Sequence, residues 1–189
     1  MNNGKLILHP AQPTEIPSST TDLTKRLQDI GFLASPWAAA PDNRYLVGAR
    51  FLRLIVFLGC SPNVPLQPPD DGSLDFCHVS VSGPWNAVRF LTGSMNASPR
   101  CPHCRQKNPV WQKMIEAWKK DRAGFRWTCP ACGTASDVAS LNWRQGAGFG
   151  RFFLEIEHIF PGEAVPGDEL LQALEASTYT QWVYFYAAG

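Results

Sequence analysis

The sequence predicts an α+β fold: one mainly antiparallel sheet with helices packed on one face, interrupted by an inserted cysteine-rich module. Three observations lead there. Short runs with strand alternation stand on both sides of residues 99–144. Segments with apolar residues at helical spacing stand beside those runs. Neither flank alone carries a large core, so the two flanks are expected to share one sheet. A length of 189 residues suits one domain with a small insertion. With 44% hydrophobic and 17% charged residues, a packed core is affordable and wholesale disorder is not expected. A net charge of +1 argues against binding nucleic acid over the whole surface. The longest apolar run, residues 51–59, is broken by Arg53 and is far shorter than the ~20 residues of a membrane span. The opening MNNGKLILHPAQPTE shows no apolar stretch of signal-peptide length, so cytoplasmic residence and no membrane partner are expected.

The elements follow in order. Residues 1–18 hold three prolines and few apolar anchors and read as an extended N-terminal arm. Ser19, Thr20 and Thr21 offer an N-cap, Leu23, Leu27 and Ile30 repeat at helical spacing, and Gly31 ends a helix from about Thr21 to Ile30. Tyr45 to Gly59 reads as one central strand, with both faces apolar from Phe51 onward apart from Arg53. Residues 61–72 hold four prolines and must be a loop. In Phe76 to Ser82, Cys77, Val79 and Val81 alternate with His78, Ser80 and Ser82, a half-buried strand. Asn86 to Leu91 is a weaker strand or a short helix. In the inserted module, Asn108 caps and Pro109 opens a helix with Trp111, Met114, Ile115 and Trp118 on one face. Phe125 to Cys129 is a strand. Gly146, Gly148 and Gly150 let the chain leave the module and re-enter the sheet. Arg151 to Phe160 is a strand with Phe152, Leu154, Ile156 and Phe160 inward. Asp168 caps a helix carrying Leu170, Leu171 and Leu174. The last strand, Thr178 to Tyr186, places Trp182, Tyr184 and Tyr186 on one face. The body is therefore 19–98 with 145–189, and the insertion 99–144.

Six cysteines occur, at 60, 77, 101, 104, 129 and 132. Four form two C-x-x-C pairs, Cys101-Pro-His-Cys104 and Cys129-Pro-Ala-Cys132. Two intervening residues let one tight turn aim both sulfurs at a point, and two such turns face to face make a tetrahedral S₄ site. At these residues, over roughly 99–139, the sequence resembles a zinc ribbon. WTCPACG is the more typical half; RCPHCRQ departs by placing Arg105 where glycine is common. The resemblance implies one structural Zn²⁺ held by hairpin knuckles, and no particular biology. Iron would take the same four thiolates. Two disulfides would need an oxidising compartment, and a redox C-x-x-C is usually solitary. With four thiolates present, His103 is expected to be a bystander. Cys60 and Cys77 read as buried thiols without a partner.

Charge is uneven. Eight cations and two acids lie between Arg100 and Arg126, a balance of +6, against −5 from Arg151 to the end. Arg105, Lys107, Lys113, Lys119, Lys120, Arg122 and Arg126 are the candidate partner-binding residues. They would form a surface for an acidic partner. Nucleic acid is one candidate, with Trp111, Trp118, Phe125 and Trp127 stacking bases. In the bland alternative the cations only solvate a helix face and the tryptophans are the core of a small module. In a third, the basic module docks on the acidic half of the same chain or of a second copy.

Catalytic signals are weak. His78 could approach Glu155, Glu157 or His158 across the sheet, but Cys77 and His78 are neighbours pointing to opposite faces. G-x-G-x-G at 146–150 lacks the spacing and lysine of a phosphate loop, and neither HExxH nor GxSxG occurs. The expected function is thus a non-enzymatic zinc-binding protein acting through protein–protein contact, as an adaptor or an inhibitor of immunity type. The alternatives are a nucleic-acid-binding ribbon using residues 100–127 and, remotely, an enzyme built on His78 with Glu155 or Glu157.

Overall fold

The computed structural model describes residues 4–37, 43–59, 64–93 and 97–188. In chain order the elements are β1 (Gly4–Pro10), α1 (Thr20–Asp29), β2 (Leu33–Pro36), β3 (Arg44–Val47), α2 (Phe51–Leu54), β4 (Ile55–Phe57), β5 (His78–Ser82) and β6 (Arg89–Thr92). There follow α3 (Trp111–Lys120), β7 (Trp127–Thr128), β8 (Ala135–Ser136), β9 (Ala147–Gly150), β10 (Phe153–Glu157), β11 (Ala164–Pro166), α4 (Asp168–Thr178) and β12 (Trp182–Ala188). Six strands form an antiparallel sheet in the order β12-β1-β10-β5-β3-β2. Strands from both flanks of the cysteine-rich segment thus share one sheet.

Helices α1, α2 and α4 lie on one face. Leu6 and Leu8 of β1, Val79 and Val81 of β5, and Leu154 and Ile156 of β10 meet Leu23 and Leu27 of α1, Phe51 and Leu54 of α2, and Leu170 and Leu174 of α4. Ser19 caps α1 by accepting the Asp22 N–H at 3.1 Å. At α4 the N-cap position is Gly167, and the expected capping residue Asp168 sits in the first turn with Glu169. There its charge still complements the helix dipole.

The opposite face divides in two. Lys5, Glu155 and Glu157 form a polar cluster, with Lys5 Nζ 3.2 Å from Glu155 Oε2 and 2.8 Å from Glu157 Oε1. Ile7, Phe153, Phe185 and Ala187 form an apolar layer with Trp85 and Leu91. The two-stranded β6–β9 sheet lies against that layer. A Cβ on Gly148 would sit 2.6 Å from His9 Nε2, and one on Gly150 would sit 3.1 Å from Phe153 Cζ. The G-x-G-x-G run therefore permits close strand-to-sheet approach.

The other side of this two-stranded sheet carries a second core. Trp111, Met114, Ile115 and Trp118 of α3 pack with Val138, Leu141, Trp143 and Phe149. Phe90 of β6 meets Trp111, Trp143 and Phe149 at ring separations of 5.9, 5.1 and 4.9 Å.

Four expectations are corrected. Gly4–Pro10, read as part of an arm, are a strand: β1 is paired on both edges, with β10 and β12, because Leu6 and Leu8 serve one core while Ile7 serves the other. The run 45–59 is not one strand. It is β3, a helical turn and β4, because Phe51 and Leu54 reach the core at helical spacing. Gly48 makes the bend possible, since a Cβ there would lie 2.8 Å from the Leu33 carbonyl oxygen. Phe160 is 47% exposed and Ile159 is buried in its place, because His158 at φ 62° breaks the alternation. Helix α3 starts at Trp111; Asn108 Oδ1 accepts the Val110 N–H at 3.2 Å, two residues short of the helix. Among the described residues no helix is long and apolar enough to cross a membrane.

Candidate metal centre and charged face

The four cysteine sulfurs converge: all lie within 4.8 Å of one another. Each C-x-x-C turn is built the same way. Arg105 N–H donates to the Cys101 carbonyl at 3.0 Å, and Gly133 N–H to the Cys129 carbonyl at 2.9 Å. Cys101 N–H donates to the Gln106 carbonyl at 2.9 Å, and Cys129 N–H to the Thr134 carbonyl at 3.0 Å. The residue after each second cysteine is left-handed, Arg105 at φ 63° and Gly133 at φ 71°. Arg105 thus occupies the conformation glycine takes in the other half, at a strain of about 1 kcal/mol. The first cysteine of each turn is buried and the second exposed.

The sulfur spacing fits a metal and not a disulfide. Cys101 and Cys132 Sγ are 3.8 Å apart, and Cys104 and Cys129 Sγ 3.6 Å. A disulfide requires about 2.05 Å. Four sulfurs around an ion at the usual zinc–sulfur length of about 2.3 Å stand about 3.8 Å apart along a tetrahedron's edges. Cys101, Cys104, Cys129 and Cys132 could therefore hold one ion, which would supply a positive centre shared by four thiolates. The four thiols differ in their surroundings. The Thr134 hydroxyl and N–H bond the Cys132 sulfur and bring it down to about 6. The Gln106 N–H favours the Cys104 thiolate, but desolvation and its three cysteine neighbours outweigh it and push Cys104 up to about 12.

His103 is exposed and lies outside the sulfur cluster. Cys77 is a buried thiol without a disulfide, pushed up to about 12 by burial first and then by Glu157 and Glu163. Cys60 falls outside the described residues. A scan of family models, a search of curated proteins and a search of solved structures found no match to this chain.

The seven candidate partner-binding cations, Arg105, Lys107, Lys113, Lys119, Lys120, Arg122 and Arg126, are all exposed. Arg126 pairs with Asp137, an acid of the same segment. Among the described residues no ion pair joins these cations to the acids after Arg151. The segment meets the body through aromatic packing instead. The tryptophans proposed to stack bases are in use: Trp111 is 5% and Trp118 6% exposed, inside the second core. Phe125 and Trp127 are partly buried at its edge.

His78 is on the same face as Glu155 and Glu157 but is buried, with Nδ1 2.8 Å from the Phe76 carbonyl. Phe76 and Trp37 flank its ring. Burial lowers its pKa first, while the Phe76 carbonyl and Glu157 oppose that. Lys5 holds both carboxylates, and Ser82 Oγ donates to Glu155 Oε1 at 2.6 Å. The arrangement is a buried histidine beside two carboxylates that share one lysine.

Proposed function

We propose that this chain is a non-catalytic binding protein, with residues 99–144 forming an inserted zinc ribbon that presents a basic face to an acidic partner protein. Zinc is the structural ion of Cys101, Cys104, Cys129 and Cys132, and its role is to hold α3 and the flanking turns in place. One observation carries the partner reading. The exposed cations are not used to attach the segment to its own acidic half, because aromatic packing does that. Their charge is thus directed outward, where it steers and orients an acidic surface. An adaptor or an inhibitor would use such a face in the same way.

The experiment is affinity capture from the native source with the wild-type chain and with Lys113→Glu/Lys120→Glu. Both side chains are exposed, so the variant should fold and keep its metal. A protein recovered by the wild type at low salt, lost at high salt and lost with the variant is the expected result. Equal recovery by both chains would refute the basic face as the contact.

A further inference from the structure

A groove of about 550 Å³ opens between the segment that leads into β6 and the end of α3. Trp85, Asn86 and Arg89 line one wall; Trp118, Lys119 and Arg122 line the other. Both walls are cationic, and none of the described residues lining the groove is acidic. Two of the cations are mounted on indoles. The Arg89 guanidinium carbon lies 4.2 Å from the Trp85 ring centroid, and that of Arg122 lies 5.7 Å from the Trp118 centroid. A guanidinium held over an indole is a flat, charged platform whose outer side can take another flat π-system. The Lys119 ammonium is a point charge suited to phosphate. The volume is in the range of small-ligand sites.

We infer that this groove binds a nucleoside phosphate, its base lying against the Trp85–Arg89 and Trp118–Arg122 platforms and its phosphate facing Lys119. A carboxylate peptide would satisfy the charge but leave the platforms without a flat partner. The site shares Lys119 and Arg122 with the proposed basic face and goes beyond it through Arg89 and Trp85, which lie outside the cysteine-rich segment. It also depends on the metal, since one wall is the helix between the two C-x-x-C turns.

The test uses the metal-loaded full chain, titrated with AMP, ATP, inorganic phosphate, dT8 and U8, with tryptophan fluorescence and calorimetry as readouts. AMP and ATP should bind and quench emission, with the Trp85→Phe variant losing most of the change. Arg89→Ala and Arg122→Ala should each weaken binding about tenfold or more. Arg89→Lys keeps the charge without the flat cation and should weaken it comparably. Free nucleotides binding as tightly as dT8 or U8 would assign the site to a mononucleotide. Much tighter oligonucleotide binding with a steep salt dependence would assign it to a strand. The inference is overturned if no nucleotide binds at millimolar concentration, if inorganic phosphate competes as well as AMP, or if Arg89→Lys binds like wild type. None of those results touches protein capture, which is read with Lys113 and Lys120.

Discussion

Acidification should destabilise this protein through His9, by an amount the structure fixes. His9 stands on β1 with its ring against Phe153 and Phe185, at centroid separations of 5.5 and 5.7 Å. Its Nδ1–H donates to the Pro10 carbonyl at 2.8 Å, and Nε2 faces Gly148. Burial lowers its pKa from 6.5 to about 4, and only the Pro10 carbonyl opposes that. The unfolded chain therefore binds this proton more tightly than the folded one. Above pH 6.5 both states are neutral and His9 adds no pH dependence. As pH falls from 6.5 towards 4 the unfolded state gains protons first, so stability drops. The full difference is worth about 3 kcal/mol, of which about 2 kcal/mol is gone by pH 5. The assay is urea denaturation at pH 7, 6, 5 and 4.5 for the wild type and His9→Phe, which keeps a ring and removes the proton. The variant should lose about 1 kcal/mol at pH 7 from the orphaned carbonyl, and the gap should close and reverse as pH falls. Parallel pH curves for the two proteins would refute the argument.

Chelation, or Cys129→Ser, should melt the second core first. Trp111, Trp118 and Trp143 emission should shift red while amide protection in β1, β5 and β10 persists, the ion being worth on the order of 10 kcal/mol to its module. Loss of both cores in one transition would contradict separate cores. Arg105→Gly should tighten zinc about fivefold in a chelator competition, by relieving the left-handed strain of about 1 kcal/mol. Unchanged or weaker affinity would refute that strain. Gly148→Ala should cost about 2 kcal/mol in urea denaturation, because the new methyl meets Phe185 and His9, both buried. A variant as stable as wild type would show that β9 can withdraw from the sheet. Ser136→Ala should be neutral to stabilising by about 1 kcal/mol in the same assay, since the Ser136 hydroxyl is buried with no partner among the described residues.

The four-cysteine cluster was legible because its geometry is local. Two residues between cysteines, a proline and a left-handed position suffice to aim two sulfurs. Helices α1, α3 and α4 and strands β5, β10 and β12 were legible for the same reason: one face of each is apolar at its own period. Strand β1 was not, since both its faces are buried and its partners, Glu157 and Ala187 opposite Lys5, lie in the last part of the chain. The turn at Phe51–Leu54 was hidden because a short apolar run reads alike as strand or helix. His9 and Arg89 left no signal at all: each is a single residue whose surroundings come from distant strands.

The sequence by itself determined the antiparallel sheet with its helical face, the four converging thiols and the uneven charge. These follow from spacing and composition. Only the tertiary structure decided that Gly4–Pro10 stand inside the sheet, that Trp111 and Trp118 face inward, and that Arg89 and Arg122 lie across one groove. Those outcomes depend on contacts between segments far apart in the chain. Burial is a property of the neighbours a residue meets, and local pattern does not name them.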